Sequence, residues 1–427
     1  MLALVILLLG SPVAEAADLV RGPYLQQVTQ ESVIVVLDLD ERATPEVRIA
    51  VGTPGEQSFA SRSSGRHHEI EVTGLDAATE YAWAVYLDDV RLGEAHGFRT
   101  AVRAGTPFSF LVYGDTRTGH EDHGAMIAAA LTEEVGFAFV TGDLVSDGEV
   151  AEQWDTFFTI EQPLIERIPL YPVVGNHDEH AGDAALFRDA FALPGAELYY
   201  SFDHGNAHFV VLDMHVNTVL ACRVGEVGVI NCLDEEQAAW LEADLREACA
   251  QPETDLTFLL IHVGPYTSVA DRTGNGHLRA LLPLFEETGV VGILSGHDHY
   301  YERGRSANDI AYVVSGGAGA PLYALESPNS PPHTIEVSEM VHHYVVVEVD
   351  GLQVRLVAKD LSGVVIDDAS FDAATTCVAT GPDDGEKEDG WCGCTSGAAG
   401  TGGGGPLGAV LGVTLLAWRR TRRSRLV

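Results

Sequence analysis

Five short apolar runs, rich in β-branched and aromatic residues, mark the middle of the chain: Phe108 to Tyr113, Phe137 to Val140, Tyr171 to Val174, Leu256 to Ile261 and Val290 to Leu294. Helix-like stretches separate them, so they predict β-strands of a largely parallel sheet. Each run stops at a polar turn. In order these are Gly114-Asp115, Gly142-Asp143, Gly175-Asn176-His177-Asp178, His262 and Gly296-His297-Asp298-His299. Ligands of such sheets gather beyond the carboxyl ends of the strands, so five dispersed turns are expected to line one pocket.

The pattern differs on either side of this region. From 18 to about 103 the runs Val33 to Leu37, Glu46 to Val51, His68 to Val72, Tyr81 to Tyr86 and Gly97 to Thr100 are short and separated by turn residues, which predicts a separate all-β sandwich. After the five runs, His343 to Val349 and Leu352 to Ala358 predict a closing hairpin around Asp350-Gly351. Beyond Phe371 the periodicity ends. An acidic, glycine-containing stretch from Asp383 to Gly390 predicts a disordered linker. Cys392-Gly393-Cys394, a Gly-rich spacer, an apolar stretch from Leu407 to Trp418 and five arginines between Arg419 and Arg425 follow it.

Length and charge narrow the setting. A chain of 427 residues has room for two or three domains and a large core. Its net charge of −38 argues against nucleic acid or an anionic membrane as target and suits a soluble, secreted protein. Leu2 to Leu9 read as the apolar part of an export signal, too short to span a bilayer, with Val13-Ala14-Glu15-Ala16 as a cleavage pattern. No positive segment precedes it; a buried N-terminal helix is the alternative. Export permits disulfides. Cys222 and Cys232 flank a glycine-containing loop and are the expected pair, while Cys249 and Cys377 receive no assigned partner.

The polar turns carry the candidate chemistry. Taken singly, a Gly-Asp after a strand is a turn, Asn-His-Asp a cap, and a histidine ending an apolar strand a satisfied interior residue. Five in sequence instead offer hard carboxylate oxygens and imidazoles, the donor set of two metal ions about 3.5 to 4 Å apart. Asp143 is the expected bridge. Asp115 and His299 are assigned to the first ion; Asn176, His262 and His297 to the second. His297 and His299, at i and i+2 of an extended turn, can address neighbouring ions while Asp298 points away.

This order of motifs resembles the calcineurin-like metallophosphoesterases, and Gly296-His297-Asp298-His299-Tyr300-Tyr301-Glu302-Arg303 narrows the resemblance to their purple acid phosphatase branch. Tyr199 to Asp203 and Ser315 to Pro321 resemble that branch too, from about Leu19 to Phe371 in all. The resemblance implies an α/β fold, a β-sandwich flanked by helices (αββα), and a metal-bridged hydroxide attacking a phosphoester. It also implies a fibronectin type III-like N-terminal domain, whose tyrosine-corner motif Leu75 to Tyr81 matches with Ala77 in the usual place of proline.

The branch places a tyrosine three residues after the bridging aspartate, where this chain has Ser146; the wider family places a histidine two residues after the first aspartate, where it has Arg117. His123 is a candidate substitute ligand, with a surface or capping histidine as the alternative. Arg117 is suited to clamp substrate phosphate through its guanidinium fork. His177 is the candidate acid for the leaving oxygen, or else a support for Asn176. His277 could line the substrate mouth, and Tyr300 reads as packing.

The expected organisation is 1–17 signal peptide, 18–103 fibronectin-like domain, 104–371 metallophosphoesterase, 372–391 acidic linker and 392–427 terminal tag. The tag resembles the cysteine-containing sorting tags of myxobacterial surface proteins, which implies cleavage and anchoring outside the cell; a short transmembrane anchor is the alternative. Membrane contact is expected only there, and nucleic acid is not an expected partner. The expected activity is hydrolysis of small phosphoric monoesters by an exported enzyme holding two ions of Fe, Zn or Mn. Hydrolysis of diesters or pyrophosphate, and a surface binding module with an incomplete first metal site, remain as alternatives.

Overall fold

The computed structural model describes residues 17–179, 184–214, 223–224, 227–228, 232–270, 272–325 and 333–373. The chain divides into two compact units, Met1–Gly385 and Glu386–Val427. Apart from Ala17, Asp372 and Ala373, the expected export signal, linker and terminal tag lie outside the described residues, as does Cys222.

Two antiparallel sheets form the N-terminal part. One pairs Leu19–Gln26, Ser32–Ala43 and Gly65–Thr73; the other pairs Gln57–Ala60, Glu46–Ile49, Glu80–Leu87 and Val90–Arg99, in that order. Alternation turns one face inward: in Gly65–Thr73, His68, Ile70 and Val72 are buried while their neighbours are exposed. Trp83, Val35, Leu37 and Val47 close this core. The expected corner is present, for the Tyr81 hydroxyl accepts the Asp76 N–H at 2.9 Å. This sandwich is less separate than its sequence suggests. Tyr24 and Val36 belong to the core of the following region, and the Gln27 amide donates to the Ala192 carbonyl at 2.9 Å.

The five apolar runs are strands, with Leu170–Pro172 shorter than its run. They do not share one parallel sheet. Phe108–Tyr113, Phe137–Val140 and Leu170–Pro172 are parallel neighbours in a six-stranded sheet completed by the antiparallel strands His343–Asp350, Gln353–Asp360 and Val365–Asp372. Leu256–Val263 and Val290–Gly296 lie in a seven-stranded sheet of order Tyr200–His204, Ala207–Leu212, Leu256–Val263, Val290–Gly296, Ala311–Ser315, Tyr301–Arg305, Thr334–Glu339. The reason is packing. Leu256–Val263 is buried at every position, as a strand covered on both faces must be. One face meets Phe110, Phe139 and Phe209 of the layer between the sheets, and the other meets the α4 side (Glu235–Ala250) through Leu259, Ile261, Leu241 and Leu245. With the helices α1 (His120–Ala130), α2 (Ala151–Ile165) and α3 (Ala185–Ala190) packed into the first sheet's core, the architecture is the helix-flanked β-sandwich of the resemblance.

Candidate metal centre

Each of the five strands delivers its polar turn to one end of the sandwich, and the turns are sharp. Asp115, Asp143 and His297 hold positive φ angles of 58°, 54° and 67°, a left-handed region that non-glycine residues enter only where surroundings impose it. Their neighbours leave no room for side chains. A Cβ on Gly142 would stand 2.4 Å from the His262 ring, and one on Gly175 would stand 2.2 Å from the Asp143 amide nitrogen. The Gly-Asp pairing of the sequence is thus a spatial requirement.

Asp115, Asp143 and His299 form one group whose ligand atoms lie within 4.8 Å of one another, and Asp143, His262 and His297 form a second. Asp143 belongs to both. Asn176 joins the second, its Oδ1 standing 3.3 Å from His262 Nε2. Both inner histidines are held by their outer nitrogens: His262 Nδ1 bonds the Thr141 carbonyl at 2.7 Å, and His299 Nδ1 the Pro321 carbonyl at 2.7 Å. That tautomer turns each Nε2 toward the carboxylates. His297 places its backbone N–H on Asp115 Oδ2 at 2.8 Å, tying the last turn to the first.

The donor set fits cations. Asp115 Oδ1 and His299 Nε2 are buried without hydrogen-bond partners among the described residues and face each other at 3.3 Å. Buried polar atoms are otherwise satisfied, and a metal between these two would satisfy both. Burial alone would raise the Asp143 pKa, but the imidazoles of His262 and His177 hold it well below the usual carboxylate range. Burial likewise opposes charge on His262, yet Asp143 and then Asp115 push its pKa up to about 9. Asp115, Asp143, His262 and His299 are nearly inaccessible, while Asn176 is exposed and His177 and His297 are half-buried. The open face lies on their side.

The neighbouring residues divide clearly. Arg117 Nε donates to Asp143 Oδ2 at 3.0 Å. His177 stands beside the same carboxylate, Nε2 at 3.9 Å, with Nδ1 2.8 Å from the Ser146 carbonyl. Asp178, within the same turn, accepts backbone N–H bonds from Leu144, Val145 and Gly175 at 2.9, 3.1 and 2.8 Å, and so ties two turns together. Asp298 does point away, pairing with Arg272. Tyr300 is packing, its hydroxyl accepting the Ser268 N–H at 2.7 Å. His277 lies in the short helix Gly276–Ala280, without a contact to the ligand set among the described residues.

His123 stands outside both ligand groups. It is buried, its Nε2 bonded at 2.7 Å to Glu161 of α2, whose other oxygen accepts the Tyr113 hydroxyl at 2.7 Å. Cys249 is disulfide-bonded, as is Cys232. Tyr323, which nothing in the sequence marked, stacks on the His299 ring at 4.0 Å, and in the Ser315 to Pro321 motif Ala318 and Ala320 donate N–H bonds to the carbonyls of Gly114 and Asp115 at 3.0 and 2.8 Å. The small residues in Ser315 to Pro321 were the available signal.

Residues 108–301 match the family Calcineurin-like phosphoesterase. This stretch is similar to calcineurin-like phosphoesterases. The chain is 26% identical to the uncharacterized protein Rv2577 of Mycobacterium tuberculosis, over 66% of this chain and 62% of that one. It is 26% identical to purple acid phosphatase 18 of Arabidopsis thaliana, over 60% and 57%. It therefore spans about 60% of the length of these relatives. The structure of purple acid phosphatase PPD1 from yellow lupin seeds superposes with a TM-score of 0.67 at 18% identity, covering 82% of this chain and 74% of that one. The fold of the phosphoesterase domain is therefore shared with that structure.

Proposed function

We propose that the protein hydrolyses phosphoric monoesters at a dinuclear metal centre, as an acid phosphatase does. The observation that carries this reading is the carboxylate of Asp143 standing in two ligand groups at once. Asp115, Asp143 and His299 would hold one ion; Asp143, Asn176, His262 and His297 the other. Two such ions, of Fe, Zn or Mn, would lower the pKa of a water enough for attack on phosphorus near neutral pH and would neutralise charge on the phosphoryl oxygens.

The chain's own groups do the rest. Arg117, fixed through Nε, keeps the other edge of its guanidinium for a phosphate oxygen. His177 is half-exposed at the open face, and its Nδ1–H donates to the Ser146 carbonyl, which leaves Nε2, 3.9 Å from Asp143 Oδ2, as the atom that would hold a proton for the leaving oxygen. Thr141 and Pro321 fix the imidazoles of His262 and His299 and exclude water from behind them. Resemblance also supports export, a fibronectin-like role for the N-terminal sandwich and surface retention through the terminal tag; an intact-mass measurement of native protein that still includes Arg419 to Val427 would refute the tag.

The test of the activity is an assay of purified, metal-supplemented protein on p-nitrophenyl phosphate and bis(p-nitrophenyl) phosphate. Monoester turnover above diester turnover is expected. The reverse order would assign a diesterase, and no turnover of either a binding module.

A further inference from the structure

A cavity of about 360 Å³ opens beside the metal centre, between the start of α1 and the start of α2. It shares Arg117 and Ser146 with the centre, and its far wall carries His120 and Gln153, with buried His123 behind. No carboxylate lines it among the described residues. In a chain of net charge −38 that is a local reversal of sign. The buried carboxylates nearby are engaged: Glu161 by His123 and Tyr113, Asp143 by Arg117, and Asp178 by the N–H groups of Leu144, Val145 and Gly175.

The donors on these walls are directed by what their other atoms do. Gln153 Oε1 accepts the N–H groups of Ser146 and Asp147 at 2.9 and 3.0 Å, which leaves its amide NH₂ as a donor. Arg117 spends Nε on Asp143, and its terminal nitrogens have no protein partner among the described residues. His120 is exposed at the rim. A volume near the lower end for ligand sites admits a group of a few heavy atoms rather than a polymer.

We infer that this cavity is a subsite for the leaving group, selecting phosphomonoesters whose alcohol carries a second anionic group, a carboxylate or phosphate. The inference rests on the phosphohydrolase reading above. With the scissile phosphoryl group at Asp143 and Arg117, the ester oxygen leads past Ser146 into the cavity, where the second anion meets His120 and the Gln153 amide. In the reaction a water oxygen forms the new bond to phosphorus. The bond from phosphorus to the alcohol oxygen breaks with its electron pair, and that oxygen takes up the proton the water gives.

Two probes of similar size separate charge from shape: 3-phosphoglycerate, with a carboxylate on the leaving alcohol, and glycerol 3-phosphate, with a hydroxymethyl group there. For the metal-supplemented full chain, kcat/KM should favour 3-phosphoglycerate by about tenfold, one well-placed charged contact. Gln153→Glu keeps the oxygen that accepts the two N–H bonds and replaces the amide donor by a negative oxygen. That variant, and separately His120→Glu, should abolish the preference while changing p-nitrophenyl phosphate turnover less than twofold. Glycerate should inhibit p-nitrophenyl phosphate hydrolysis competitively, and glycerol should not. Equal kcat/KM for the two probes, or a preference that survives both variants, overturns the subsite while leaving the phosphatase intact. Failure to hydrolyse p-nitrophenyl phosphate at all removes both readings together.

Discussion

Replacing Asp143 by asparagine preserves the shape of the side chain and removes the charge that two ligand groups share. An amide is a poor bridge between two cations. Asp143→Asn should therefore lower phosphatase kcat/KM by at least about 100-fold and reduce the bound metal at both positions together. Elemental analysis decides it: two ions per chain in the variant would refute the bridge. The colour of the protein follows from another residue. The resemblance implies a visible band only where a tyrosinate binds ferric ion, and Ser146 stands at that place, its carbonyl accepting from His177. Purified protein should be colourless in the green region. A strong band there would implicate Tyr323, the phenol stacked on His299. Asp115, Asp143, Asn176 and His297 were legible in the sequence because each follows a glycine at a strand end, and crowding explains the glycine at Gly142 and Gly175. His123 was not, because its partner Glu161 lies on another helix and nothing local announces that pairing.

At the scale of elements, α1 and α2 meet over a buried carboxylate. Glu161 is fully buried and accepts from both His123 and Tyr113. Glu161→Ala would leave a buried imidazole and a buried phenol without their partner, which should destabilise the protein by about 2 to 4 kcal/mol. Denaturant titration reads that loss. His123→Gln, by contrast, should retain the wild-type metal content, since His123 bonds Glu161 rather than an ion; loss of one ion would return it to the ligand set. The strands themselves were legible as apolar runs, but their assignment to sheets was not. Phe108–Tyr113 pairs with His343–Asp350 on one side and Phe137–Val140 on the other, and no local pattern specifies the distant neighbour. Alternation of strands and helices suggested one parallel sheet; the fold makes two mixed sheets, because both faces of runs such as Leu256–Val263 must be covered. Tyr200–His204 and Ala207–Leu212 were not among the expected strands, although Tyr199 to Asp203 carried part of the resemblance.

At the scale of the whole molecule, buried histidines set the acid limit of stability. His204 lies between Phe108 and Phe137, ring centroids 4.9 and 4.7 Å away, and burial pushes its pKa down to about 4. His343 is enclosed as completely and is also lowered to about 4 by burial. For both, the native pKa lies below the unfolded value near 6.5, so the unfolded chain binds protons that the native chain refuses. Stability should therefore fall as pH drops from about 6.5 toward 4, by roughly 2 to 3 kcal/mol for each residue, and these two contributions level off below that. His208 has the opposite sign. Burial opposes its charge, but Asp203 and Asp244 raise its pKa to about 9, so its contribution is complete below about 6.5 and is lost as pH rises through 9. Together they place the maximum near neutral pH. Metal loss in acid would mimic the first effect, because protons compete with cations at His262. The decisive comparison is therefore made on chelated protein. His204→Phe keeps an aromatic ring between Phe108 and Phe137 but cannot take a proton, and its urea midpoint should decline less steeply than that of wild type between pH 6.5 and 4.5. Parallel declines for the two proteins would show that His204 takes up its proton in the native chain as readily as in the unfolded one.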